Sequence, residues 1–251
     1  MTLLGGLLGA VFGSFLNVCI LRLPAEQSVV RPPSRCPKCG YGLRWYDNIP
    51  VLSWLLLLGK CRKCGAPISV QYPLIELATA GIWAAFAWSG GVSLEAVRGA
   101  VFFTILLGIG MTDGREYIIP DEFSVGGLII GLALHLPDGF IGIGHSILGA
   151  AVGYGILWTV ATVGTKVFKE DVMGGGDVKM MAMVGAFIGW AGVLLTIFLG
   201  AVLGVVIFVP PAALGNKKLV PFGVFLALGA VTTYLFGGAI IDWYRQFAFG
   251  G

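Results

Sequence analysis

The chain reads as an all-α polytopic membrane protein, with about eight transmembrane helices and a small cytoplasmic zinc-binding module of four cysteines. Three observations predict this. Hydrophobic residues make up 57% of the sequence and charged residues only 12%, with a mean hydropathy of +0.91, whereas a soluble domain carries about a quarter charged residues. Several runs approach or exceed the ~20 apolar residues that cross a bilayer. Between Arg22 and about Val70 the chain turns polar and carries two Cys-x-x-Cys pairs.

The first span covers 3–21. It is apolar from the start and lacks a basic n-region, so it reads as a span and not as a cleavable signal peptide. Asn17 inside this run is expected to face other helices, as a hydrogen-bonding or a functional group, and Cys19 to pack. Residues 22–71 form the module, and 72–251 form a seven-helix membrane domain with spans near 72–88, 94–112, 123–136, 141–164, 178–190, 193–214 and 219–241. The 38 residues from Asp177 to Leu214 would make a helix of about 57 Å at 1.5 Å per residue. A core about 30 Å thick cannot use that length, so a break is expected near Gly189-Trp190-Ala191-Gly192. Forty glycines suit helices packed closely in lipid.

Within the module, Cys36-Pro37-Lys38-Cys39-Gly40 and Cys61-Arg62-Lys63-Cys64-Gly65 are two knuckles separated by 21 residues. Four thiolates at this spacing suit one tetrahedral zinc. Disulfides are the alternative, disfavoured in a reducing compartment. The run 51–58 is too short to span; it lies on the membrane surface or packs on the module.

Alternating spans put fourteen of the sixteen basic residues on one side, including the module's and Arg115, Lys166, Lys169, Lys179, Lys217 and Lys218. Only Arg98 and Arg245 fall on the other. The positive-inside rule then makes the module, Asp113, Asp121 and Asp177 cytoplasmic and both termini external. The expected surroundings are a lipid bilayer, with no nucleic-acid partner.

The chemistry is expected at acids on the span boundaries, where a carboxylate is costly without a task or a partner. Gly174-Gly175-Gly176-Asp177-Val178-Lys179 places an acid before an apolar run, behind glycines that allow a sharp turn and close approach. Two neighbouring carboxylates hold one proton between them: the ionised member can activate water while the protonated member polarises a carbonyl. Asp177 reads equally as the N-cap of the following helix. Asp113 ends another apolar run, within a turn-like Asp113-Gly114-Arg115-Glu116. Asp121 and Glu122 rival it as the second acid, and spacing does not choose between them. Lys179 either pairs with Asp177 or reaches lipid headgroups. Glu76, inside an expected span, is either functional or a structural hydrogen-bonding group. His135 and His145 read as polar packing residues.

The motifs in chain order then resemble a known family. Gly13-Ser14-Phe15-Leu16-Asn17-Val18, Arg22-Leu23-Pro24, Cys36-x-x-Cys39, Asp47-Asn48-Ile49-Pro50, Gly59-Lys60-Cys61-Arg62-x-Cys64, Ile68-Ser69-x-x-Tyr72-Pro73-x-x-Glu76, Asp113 through Ile119-Pro120-Asp121, and Gly174-x-Gly176-Asp177-x-Lys179 are similar to those of the bacterial type IV prepilin peptidases. These are bifunctional leader peptidase/N-methyltransferases of the GxGD aspartic class. Each motif is weak alone; eight in one order are specific.

The resemblance implies cleavage of the basic leader of type IV prepilins or type II secretion pseudopilins at the cytoplasmic face of the bacterial inner membrane. N-methylation of the new N-terminal residue by S-adenosylmethionine would follow. It implies Asp113 and Asp177 as the catalytic pair, Asp121 in a secondary role beside Gly174, Gly175, Gly176 and Lys179, and zinc on Cys36, Cys39, Cys61 and Cys64. Ile119 stands where leucine is commoner. Acidic Glu116, Asp121 and Glu122 would attract the basic leader. The competing classes are a proton-coupled transporter and a zinc-dependent assembly protein. The first lacks paired broken helices in matching halves; the second would need the acids to serve only as caps.

Overall fold

A computed structural model describes residues 1–213 and 220–249. Among these the protein is all-helical: α1 (Thr2–Arg22), α2 (Leu52–Leu56), α3 (Gln71–Gly90), α4 (Leu94–Glu116), α5 (Asp121–Leu134), α6 (Gly139–Phe168), α7 (Gly175–Ala213) and α8 (Phe222–Phe249). Five stretches are long and apolar enough to cross a membrane: Thr2–Arg22, Leu94–Glu116, Asp121–Phe168, Gly175–Ile207 and Phe222–Phe247. This is a multi-pass membrane protein. The stretches are fewer than the eight expected spans because α5 and α6 count as one stretch, as do the two parts of α7 on either side of Gly189. Helix α3 is not among them; its Gln71, Glu76, Tyr72 and two tryptophans dilute its hydropathy. The ends of two expected spans, at Leu214 and Leu219, and the basic residues Lys217 and Lys218 lie outside the described residues.

The expected break is present. Gly189 has φ 70 and ψ 176, inside the 39 residues of α7. A left-handed φ joined to an extended ψ interrupts the helical ladder, and glycine is the residue that tolerates it. The first part of α7 is therefore short, and it carries Asp177.

The chain divides into two compact units, Met1–Thr104 and Ile105–Gly251, with the division inside α4. In the first, α1 packs along α3. Gly5, Gly9 and Gly13 recur every fourth residue and line one face of α1. A Cβ on Gly9 would lie 2.6 Å from the Thr79 carbonyl oxygen, and one on Gly13 would lie 2.8 Å from the Glu76 Cα. Lipid tails are as apolar as leucine, so this contact rests on close packing and not on exclusion of water. Leu3, Leu4, Leu7, Leu8 and Val11 stay exposed on α1, the face suited to lipid.

The second unit is built around α7, which packs against α5, α6 and α8. Met180, Met181, Met183 and Val184 of α7 are fully buried. Gly149 of α6 meets Gly185 of α7 backbone to backbone, and the Ser146 hydroxyl donates to the Ala186 carbonyl oxygen at 2.6 Å. Thr196 and Thr233 join α7 to α8 at 3.2 Å. The first turn of α8 meets the end of α4 where the Val224 amide bonds Asp113.

Candidate active site and metal centre

Asp113 is buried on the last turns of α4. The apolar run does not stop at Thr112; the helix continues to Glu116, so Asp113 is not a solvated turn residue. Its Oδ2 accepts a hydrogen bond from the Val224 amide at 3.0 Å, and the Gly223 amide also bonds the carboxylate. Both amides belong to the first turn of α8, whose unpaired N–H groups and dipole favour an anion. Gly223 leaves room for this contact: a Cβ there would lie 2.9 Å from Asp113 Oδ2 and 2.7 Å from Ile119 Cδ1, so those side-chain ends would have to shift.

Asp177 is buried in the first turn of α7. The helix begins at Gly175, so Asp177 stands at its third position and is not the N-cap residue. Gly174 hydrogen-bonds the carboxylate through its backbone, while Asp177 Oδ1 is buried with no hydrogen-bond partner in the protein. Buried polar atoms are nearly always satisfied, so an orphaned carboxylate oxygen is an exception that calls for a functional reason. The charges of Asp113 and Asp177 interact. Ile119 bridges the two helix starts: a Cβ on Gly176 would lie 3.0 Å from the Ile119 Cβ, and Gly223 meets the other end of the same side chain.

The rival acid is engaged elsewhere. Lys179 donates to both oxygens of Asp121, at 2.7 and 2.9 Å, and not to Asp177. Glu122 is exposed beside it. Gly223 and Val224 are the site residues that sequence reasoning missed, and Ile119 entered only as part of a motif. The available signal was Pro221-Phe222-Gly223: a proline preceding a helix, then a glycine where another group comes close.

In the first unit, the two knuckles fold alike. The bridges Arg35↔Gly42 and Lys60↔Pro67 close them, and the Gly40 and Gly65 amides donate to the Cys36 and Cys61 carbonyls at 2.9 Å. Both glycines have φ near +70, at 69 and 68. All four Sγ atoms lie within 4.8 Å of one another, with Cys36–Cys64 at 3.8 Å and Cys39–Cys61 at 3.9 Å. Thiolates 2.3 Å from a tetrahedral zinc stand about 3.8 Å apart, so the site fits that metal; a disulfide would need about 2.05 Å. The Cys36 thiol is lowered to about 6 by the amides of Cys39 and Lys38. Cys39 accepts a backbone bond from Tyr41 yet is pushed up to about 11 by burial and its neighbouring thiols.

Asp47 clamps the knuckles together. It accepts from Tyr41 Oη at 3.1 Å and the Arg44 amide at 3.2 Å on one side, and from Arg62 Nε at 2.7 Å on the other. Burial pushes its carboxyl up, but these bonds outweigh it and hold the group below the usual carboxylate range. The 51–58 run packs on the module through Trp54, whose indole donates to the Ile68 carbonyl at 3.2 Å, while Leu55, Leu56 and Leu58 stay exposed.

A buried pair of aspartates at converging helix ends of a membrane bundle defines a class: a membrane protein with a two-acid site. Comparison with known proteins narrows it. Residues 7–90 match the model of the bacterial peptidase A24 N-terminal domain, and 100–209 match that of the type IV leader peptidase family. A prepilin leader peptidase/N-methyltransferase of Myxococcus xanthus is 43% identical over 214 residues, 84% of this chain and 64% of the relative's length. Proteins of the same name from Xanthomonas campestris pv. campestris and Pseudomonas aeruginosa are 33% and 35% identical, covering 96% of this chain and 93% and 92% of theirs. No solved structure matches the chain. The chain belongs to the type IV leader peptidase family.

Proposed function

We propose that this protein is a prepilin leader peptidase and N-methyltransferase. It cuts the basic leader from type IV prepilins or type II secretion pseudopilins and then methylates the new N-terminus with S-adenosylmethionine. Asp113 and Asp177 are the catalytic pair. The observation that carries this reading is the buried, unpartnered Asp177 Oδ1 beside an Asp113 held by the first turn of α8. One carboxylate is ionised and draws a proton from water as the water attacks the scissile carbonyl. The other is protonated and donates to the developing oxyanion, then the proton reaches the leaving amine. The Gly174–Gly176 backbone gives an extended substrate room to approach.

The active site and the four-cysteine module face the cytoplasm at the bacterial inner membrane, as the charge asymmetry of the loops supports. With Asp121 paired to Lys179, Glu116 and Glu122 are the exposed acids left to attract a basic leader. Cys36, Cys39, Cys61 and Cys64 hold a structural zinc that fixes the module. Purified protein in detergent with a prepilin tests the reading. Mass spectrometry would read loss of the leader and a gain of about 14 Da for one methyl group; an intact prepilin after prolonged incubation would contradict it.

A further inference from the structure

The first unit contains a buried acid that peptide cleavage does not use. Glu76 of α3 is 7% exposed. Its Oε2 accepts from the Val51 amide at 2.7 Å, and the Ser14 side chain also bonds the carboxylate. No basic side chain pairs with it among the described residues. Asn17 stands one turn beyond Ser14 on α1 and is 1% exposed. Its Nδ2 donates to the Tyr72 carbonyl, one turn before Glu76, at 3.0 Å, and to the Gly13 carbonyl at 3.3 Å. Its Oδ1 is buried and accepts nothing.

The backbone around this cluster is strained where it touches Glu76. Val51 has φ 61 and ψ −50, and the Leu52 amide turns back to the Pro50 carbonyl. This is a γ-turn of positive φ, costly for a β-branched residue. Strain of this kind persists only where the surroundings hold it, and it gathers at functional sites. The strained turn supplies the one backbone donor that Glu76 has.

The cluster therefore collects acceptors: a carboxylate, an orphaned amide oxygen and a hydroxyl with free lone pairs. A primary ammonium carries three N–H donors and one positive charge, and it complements this set. We propose that Glu76, Asn17 and Ser14 form a receptor for the α-ammonium that leader cleavage exposes, and that Glu76 takes the proton which must leave before that nitrogen is methylated. The ammonium displaces the Val51 amide from Glu76 and relaxes the γ-turn. Glu76 accepts one proton, leaving a neutral amine. The nitrogen lone pair then attacks the methyl carbon of a sulfonium donor; the C–N bond forms as the S–C bond breaks and its electron pair returns to sulfur. The product is a methylated ammonium, and Glu76 releases its proton to water. This rests on the leader-peptidase and N-methyltransferase reading above.

The test uses the full chain in detergent and two pre-cleaved pilin N-terminal peptides, one with a free amine and one N-acetylated, with no methyl donor present. The wild type is expected to bind the free amine roughly tenfold more tightly, as for hydrogen bonds to a charged group. In Glu76→Gln, which keeps an acceptor for Val51, that preference disappears. With donor added, methylation falls about 10²-fold or more, as for loss of a general base, while leader cleavage stays within about twofold. Asn17→Ala keeps the acid and weakens the preference by severalfold. Equal binding of the two peptides by the wild type overturns the proposal, as does wild-type methylation by Glu76→Gln. If Glu76→Gln loses leader cleavage as well, its fold is damaged, and the wild-type peptide comparison with Asn17→Ala decides. A wild type that neither cleaves nor methylates a prepilin contradicts the broader reading, while the peptide preference still stands or falls separately.

Discussion

Lys179 Nζ lies 2.7 and 2.9 Å from the two carboxylate oxygens of Asp121, so the first turn of α7 is tied to the first turn of α5. The pair is exposed, with side-chain accessibilities of 42% and 62%. Exposed ion pairs contribute about 0–1 kcal/mol. Asp121→Asn is therefore expected to lower stability by less than about 1 kcal/mol and to leave measurable leader cleavage. Initial rates of prepilin processing check this. Loss of cleavage as complete as in Asp113→Asn would move Asp121 into the catalytic pair.

The close fit of Gly223 against Asp113 gives a second prediction. In Gly223→Ala the new Cβ would crowd Asp113 Oδ2 at 2.9 Å and Ile119 Cδ1 at 2.7 Å. The carboxylate must shift, and a displacement near 1 Å in a catalytic group costs about 10²-fold in rate. Leader cleavage should fall by that order while zinc content stays at the wild-type level. A fully active Gly223→Ala protein would show that the α8 contact does not position Asp113.

The module is expected to carry one zinc per chain. Elemental analysis of purified protein measures it, and Cys36→Ser or Cys64→Ser should reduce it. Structural zinc sites contribute directly to folding, so chelation should lower the unfolding midpoint of the full-length protein. Unchanged unfolding after complete metal removal would mean that the module stands without zinc.

Asp47 sets a pH dependence. Its folded-state carboxyl lies below the ordinary value of 3.8 because Arg62, the Arg44 amide and Tyr41 bond it against the pull of burial. A group depressed in the folded state stabilises at pH above its unfolded value, and the contribution is lost as pH falls through the folded value. The difference in unfolding midpoint between wild type and Asp47→Asn should hold steady from pH 5 to 8 and shrink below about 4. A difference that grows on acidification would contradict the clamp.

Much of the architecture was legible because membrane helices must satisfy their own backbone and announce themselves as long apolar runs. That α7 must break followed from length, since 38 residues exceed one crossing, and the glycines of Gly189-Trp190-Ala191-Gly192 marked where. The four-cysteine cluster followed from spacing and turn chemistry. The partners of the acids were not legible. Asp113 meets the amide of Val224, 111 residues away, and Lys179 chooses Asp121 over the nearby Asp177. Helix packing makes those choices, and no local pattern encodes them. Asp113 looked like a turn residue because Gly114 and the charged Arg115 and Glu116 end the apolar run, yet α4 runs through them.

The central claim is that Asp113 and Asp177 together hydrolyse the leader peptide bond. The most direct measurement is mass spectrometry of prepilin incubated with Asp113→Asn and with Asp177→Asn, each first confirmed to insert in the membrane and to retain its zinc. Each variant is predicted to leave the leader attached, with cleavage lowered on the order of 10³-fold or more. Wild-type cleavage by either variant would contradict the account.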